Sequence, residues 1–164
     1  MAALNAGKVA PAVSLPTLDG KSFSLDDALR RGPVVLAFFK VTCPVCQFTL
    51  PYLERIYQAH HGKVSIFGVC QNPKKDASAF AREYGITFPV LLDDPSRYLA
   101  SNAYGITHVP TIFLISSGGE IQLSSVGWSR ADMDDLNRRL AESASLSPAP
   151  LFHKGEDVPA SKAG

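Results

Sequence analysis

Six consecutive apolar residues, Val34-Val35-Leu36-Ala37-Phe38-Phe39, stop at a polar step running from Lys40 to Thr42. An unbroken run of that length reads as a buried strand. A helix is predicted directly after it, from about Pro44 to His60, kinked at Pro51 and closed by Gly62. A second β-rich run covers Val64 to Val69, and Cys70-Gln71-Asn72-Pro73 ends it. Short helices are expected over Asp76–Tyr84, with Asp76 as cap and Gly85 as stop, and over Pro95–Tyr104, with strand-like residues Phe88–Leu92 between them. Thr111–Ile115 and Ile121–Val126 flank Ser117-Gly118-Gly119-Glu120, which predicts an antiparallel hairpin. Ser129 or Arg130 opens a last amphipathic helix that carries Met133, Leu136 and Leu140 on one face.

Both ends of the chain are less regular. Pro11 and Pro16 oppose helix in residues 1–22, which read as an extended arm with a turn at Leu18-Asp19-Gly20-Lys21. Ser24 and Asp27 have the spacing of a capping box for a short helix ended by Gly32-Pro33. From residue 143 the composition shifts to Ser, Pro, Ala and Gly, predicting a tail (143–164) without regular structure, able to dock through Leu151 and Phe152. The domain proper is expected to span 1–142, with no internal repeats. Strands alternating with helices, followed by a hairpin and helix, imply an α/β layer fold. Its chemistry is expected at the carboxyl ends of the parallel strands, where Cys43 follows one strand and Cys70 ends the next.

The totals narrow the function. With 164 residues, 46% of them hydrophobic, the chain can bury one sizeable core. Sixteen basic and 15 acidic residues give a charge of +1 with no basic stripe, so nothing supports nucleic acid or an anionic membrane surface as partner. The first residues lack a basic stretch followed by a long apolar one, so with Met1 as the natural start a cytoplasmic location is expected; a leader already removed would leave the same sequence. Three cysteines are too few, and odd in number, for a stapled secreted scaffold.

Cys43 and Cys46, in Cys-Pro-Val-Cys, face one side of the first helical turn. Cys43 falls where backbone N–H groups lack helical partners and an anion is favoured, and Pro44 fits a first turn where its missing N–H is harmless. The pattern supplies a nucleophilic thiolate with a second thiol in reach, which is redox chemistry on a disulfide. His60 and His61 read as a helix terminus and not a metal site, since no Cys or acid is spaced to join them.

The chain resembles the thioredoxin-like superfamily, within it the branch of alkyl hydroperoxide reductase and thiol-specific antioxidant proteins and the tethered thiol-disulfide oxidoreductases. The likeness rests on the strand-loop-CPVC-helix unit at 34–50, Pro51 eight residues after Cys43, Val109-Pro110-Thr111 before Ile112-Phe113-Leu114-Ile115, and the N-terminal extension with an inserted strand-helix stretch at 64–104. It covers roughly residues 10–142. It implies a three-layer thioredoxin-like fold with a mixed sheet, a cis Pro110, and an edge at Val109 beside Cys43 on which an extended substrate pairs. Val109, Pro110, Thr42 and Pro44 are then the expected substrate-binding residues. The sequence departs from the family pattern in having Thr42 in place of Trp, Ala37 in place of a buried Asp, and Thr49 where tethered reductases often place Glu. No carboxylate is thereby supplied to Cys46 as a base.

The expected activity is thiol-disulfide exchange, with Cys43 attacking and Cys46 resolving. It needs no cofactor or metal. Its expected substrates are disulfide-containing proteins or small thiols, recharged by a thioredoxin reductase-like or thiol system. Two rivals share the scaffold. Peroxide reduction expects a Thr or Ser three residues before the reactive Cys, where Lys40 stands before Cys43 and Cys43 itself before Cys46. It also expects an arginine near Pro110, which is missing. A copper chaperone expects Cys-x-x-x-Cys with a distant His, for which His108 is the candidate; a polar residue at a strand entry is the preferred reading of it. Cys70 reads as a small core side chain, with a third redox thiol as the alternative.

Overall fold

The apolar run at Val34–Phe39 forms β3, the middle of a five-stranded sheet, and all six residues are fully buried. The computed structural model describes residues 2–164. Strand order is β5-β4-β3-β6-β7, with β4 at Ser65–Cys70, β5 at Val90–Leu92, β6 at Thr111–Ile115 and β7 at Ile121–Val126. β3, β4 and β5 are parallel, and β6 and β7 continue antiparallel, as the hairpin signal requires. β3 and β4 end level, Phe39 opposite Cys70.

Alternation along β3 builds two cores. Val35, Ala37 and Phe39 face α2 (Pro44–Ala59), α3 (Lys74–Tyr84) and α5 (Arg130–Ser143) through Leu50, Leu53, Phe80, Met133 and Leu136. Val34, Leu36 and Phe38 face the opposite layer. That layer holds the hairpin β1 (Ser14–Pro16) and β2 (Ser22–Ser24), α1 (Leu25–Leu29), Tyr104 and α4 (Leu99–Ala103). The result is the three-layer arrangement of a thioredoxin-type fold.

Several local expectations are revised. α3 begins at Lys74 behind Pro73, so Asp76 is a first-turn residue and not the cap; its charge there complements the helix N-terminus. Ser24 precedes α1 without donating or accepting a side-chain capping bond, because it is already the last residue of β2. The helix expected over Pro95–Tyr104 is reduced to Leu99–Ala103. Asp94 folds the preceding residues into a turn by accepting from both the N–H and hydroxyl of Ser96, and Tyr98 sits in the left-handed region (φ 49°). The run predicted from Phe88 shortens to Val90–Leu92, Pro89 having no N–H to offer.

The segment after α5 docks through Leu151 and Phe152 as expected, and differs from its expectation in gaining a strand. Ala149 and Leu151 are buried, and Phe152 packs on Tyr52 and Trp128. Arg55 of α2 grips Glu156 through two bonds of 2.7 and 2.6 Å and donates to the Leu151 carbonyl. Residues 161–162 even form a strand, β9 (Ser161–Lys162), antiparallel to β8 (Trp128–Ser129). Low hydrophobicity predicted no regular structure here, but these contacts are supplied by residues far away along the chain.

Candidate active site

The loop between β3 and α2 is tied down at both ends. The Val41 N–H donates to Asn72 Oδ1 at 2.9 Å, Gln47 Nε2 returns a bond to the Val41 carbonyl at 2.9 Å, and the Cys43 N–H donates to the Lys40 carbonyl. Cys43 is thereby held as the N-cap of α2 in extended conformation, with Pro44 opening the helix. Its sulfur accepts the Cys46 N–H at 3.2 Å, and its thiol donates to the Val109 carbonyl at 3.4 Å. Val109–Pro110 is cis. Thus Cys43, at the start of α2, and Val109, at the entry to β6, meet although 66 residues separate them.

The two sulfurs of the motif occupy different environments. Cys43 is partly exposed, whereas Cys46 is fully buried in the α2-facing core. Burial pushes the Cys46 thiol far above its ordinary pKa, the hydrogen bond with Cys43 adding to the rise. Cys70 is also fully buried, its thiol is pushed up to about 11 by the same loss of water, and its sulfur lies 4.0 Å from Asn72 Oδ1. All three cysteines are free. Thr42 and Pro44 are exposed beside Cys43, and Pro110 is buried behind Val109.

A cleft of about 170 Å³ adjoins this centre, with Lys40, Gln71, Tyr98, Asn102, His108 and Val109 on its walls. Lys40 and His108 are both exposed, and the His108 ring nitrogen Nδ1 pairs with the Thr107 hydroxyl at 3.0 Å. Among the described residues no group of three His, Cys, Asp or Glu side chains could hold a metal ion, and no helix is long and apolar enough to cross a membrane.

Sequence reasoning missed the polar support of this cleft. Gln71 Nε2 donates to the Ser101 hydroxyl, which donates to the buried Asp93 carboxylate; Asp93 also accepts the Ala100 and Ser101 N–H groups. Asp93 thus does for α4 what Tyr98, its N-cap residue, cannot. The available signal was a helix start lacking its own capping side chain, with an Asp a few residues upstream. Thr49 is fully buried one turn beyond Cys46, and its hydroxyl has no protein partner.

The profile of the AhpC/TSA family matches residues 6–124. The chain belongs to the AhpC/TSA family. Among its relatives, the thiol-disulfide oxidoreductase ResA of Geobacillus thermodenitrificans is 34% identical over 122 residues, which cover 73% of this chain and 68% of that protein. The Geobacillus kaustophilus protein of the same name is 32% identical over 140 residues, covering 84% and 78%. A solved structure of a putative thiol:disulfide interchange protein DsbE from Chlorobium tepidum superposes with a TM-score of 0.74 at 26% identity, over 86% of this chain and 99% of that one. The matched AhpC/TSA span contains the Cys43–Cys46 turn, Cys70 and the Val109–Pro110 loop.

Proposed function

We propose that the chain is a thiol-disulfide oxidoreductase in which Cys43 is the attacking sulfur and Cys46 the resolving one. The observation that carries the assignment is the asymmetry of the pair: one sulfur at the helix mouth meets solvent, the Cys46 N–H and the Val109 carbonyl, and the other is sealed in the core with a raised pKa.

The Cys43 thiolate attacks one sulfur of a disulfide R–S–S–R′, forming Cys43–S–S–R and expelling R′S⁻. The Cys46 N–H donor stabilises the negative charge on Cys43 before attack. In the second step the Cys46 thiolate attacks the Cys43 sulfur, forming the Cys43–Cys46 disulfide and releasing RS⁻. Two electrons pass to the substrate, and two protons from the dithiol appear on the released thiols. Cys46 must lose a proton from a buried position, and the groups acting on it are the apolar core, the other two cysteines and the Lys40 backbone. The expelled R′S⁻ is the base we assign to that proton. Run backwards, the same steps oxidise a dithiol.

Val109, whose carbonyl accepts the Cys43 thiol, its neighbour Pro110, and Thr42 and Pro44 on either side of Cys43 in the chain are the proposed substrate contacts. Protein disulfides and small disulfides are the two substrate classes, and a thioredoxin reductase-like or small-thiol system would return the reduced form. The test is to replace each cysteine in turn and react the protein with a disulfide. C46A should accumulate a mixed disulfide on Cys43, visible by mass, and C43A should form none. A mixed disulfide on Cys46 in C43A at a comparable rate would reverse the roles.

A further inference from the structure

Residues 149–164 turn back from α5 across α2 and finish beside the reactive sulfur. Asn137 exchanges two hydrogen bonds with Ala149, Arg55 holds Leu151 and Glu156, and the Trp128 indole N–H donates to the Pro159 carbonyl at 2.8 Å. The Arg130 N–H then donates to Ala160, β9 pairs with β8 through Trp128↔Lys162, and Gly164 comes to rest on Val109. The approach is backbone to backbone. A methyl group added at Gly164 would lie 2.5 Å from the Val109 carbonyl oxygen, and one added at Gly127 would lie 2.5 Å from the Lys162 carbonyl oxygen. No second chain fits between these strands while they are in place.

Taking the oxidoreductase reading as given, we infer that residues 161–164 occupy the edge beside Cys43 on which an extended peptide would pair. The chain therefore selects its substrate by size: small disulfides react directly, and protein disulfides react only when this segment lifts. An added peptide strand needs free backbone groups along an edge. Here the chain's own segment holds them.

The way the segment is held suits displacement. Residues 149–159 are anchored by a buried Leu151, aromatic packing and a bidentate ion pair. Residues 161–164 are exposed throughout, paired at two positions only, with the Lys162 ammonium 5.2 Å from the Phe48 ring centroid. Segments with few buried contacts open at low free energy, so the tip can lift while its anchor stays. The cleft lined by Lys40, Gln71 and His108 contains none of residues 161–164, and two of its wall residues, Lys40 and Val109, bond to Cys43. Cys43 itself stays partly exposed with the segment in place, which leaves it open to a small disulfide.

The experiment uses the full chain carrying K162P, which removes the N–H that β9 offers to β8, and a second variant stopped after Ala160, which keeps the anchor. Each is assayed against hydroxyethyl disulfide and against a ten-residue disulfide-linked peptide. The peptide rate constant should rise at least about fivefold in both variants while the small disulfide stays within about twofold. Equal changes for the two substrates, or no gain for the peptide, overturn the inference. Alkylation of Cys43 by iodoacetamide and by a chloroacetylated peptide reads the same access without any redox step. Should the protein reduce neither disulfide, the oxidoreductase reading fails, and the alkylation ratio alone decides: a selective gain for the peptide reagent upholds occlusion, and an unchanged ratio refutes it.

Discussion

Thr49→Val should stabilise the protein although it deletes a polar group from the helix that carries the reactive sulfurs. Thr49 is fully buried, and its hydroxyl finds no partner in the protein. It lies on α2 among Cys46, Leu50 and Leu53, so the hydroxyl has given up water for apolar neighbours. Such an unpaired group is destabilising by about 1–3 kcal/mol. Valine has nearly the same shape and a similar helix propensity, so relief of that penalty is the main term. A gain of about 1–2 kcal/mol is expected, which for a chain of this length raises Tm by about 2–8 °C. Urea unfolding of the reduced protein is the assay: the midpoint should move up at constant slope. Thr49→Ser keeps the hydroxyl and loses a methyl, and should lower stability by about 1 kcal/mol. Neither change should alter disulfide exchange, since the hydroxyl bonds to neither sulfur. A T49V protein no more stable than the parent would refute the reasoning and show that the hydroxyl is satisfied in solution.

Three further outcomes are expected. Cys70→Ala should leave exchange rates unchanged, and the oxidised parent should show a Cys43–Cys46 bond with Cys70 free by mass spectrometry; a bond to Cys70 would contradict the geometry, in which the Cys43 sulfur meets the Cys46 N–H and the Val109 carbonyl while the Cys70 sulfur faces Asn72 Oδ1. Burial, and then the charge of His61, holds the His60 pKa below its ordinary 6.5, so the unfolded chain takes up the proton first. Stability is therefore retained above pH 6.5 and lost as pH falls below it, and His60→Leu should flatten that slope in unfolding curves measured across the range. Glu156 is held down to about 2 from 4.5 by the Arg55 guanidinium, so its contribution is present above pH 4.5 and lost as pH falls through about 2. Trp128 fluorescence should report loosening of residues 149–159 in that window, and Glu156→Gln should abolish this transition.

The parts of the site legible in sequence are those encoded locally. The β3 run, the Cys-x-x-Cys spacing and Pro44 all lie between Val34 and Cys46, and each carries its own conformational signal. β4 and the β6–β7 hairpin were legible for the same reason. The true extent of α4 was not, because Tyr98 adopts a left-handed conformation that nothing in its side chain announces, and because the helix is capped by Asp93. In the 149–164 segment the anchors Leu151 and Phe152 were legible, but the path of the chain and its strand were not, for a different reason. Its few bulky residues have no periodicity, and its order depends on Arg55 and Trp128, 101 and 31 residues away from their partners. Unpaired Thr49 could not be foreseen either, since helical spacing predicts a face and not a hydrogen-bond partner.

β3 has neighbours on both sides and no solvent on either face. Its amides should exchange with deuterium only when the whole molecule opens. A sulfur mounted directly beyond such a strand can make and break covalent bonds many times without the platform yielding. The wear of turnover should instead fall on the first turn of α2 and the residues that touch it.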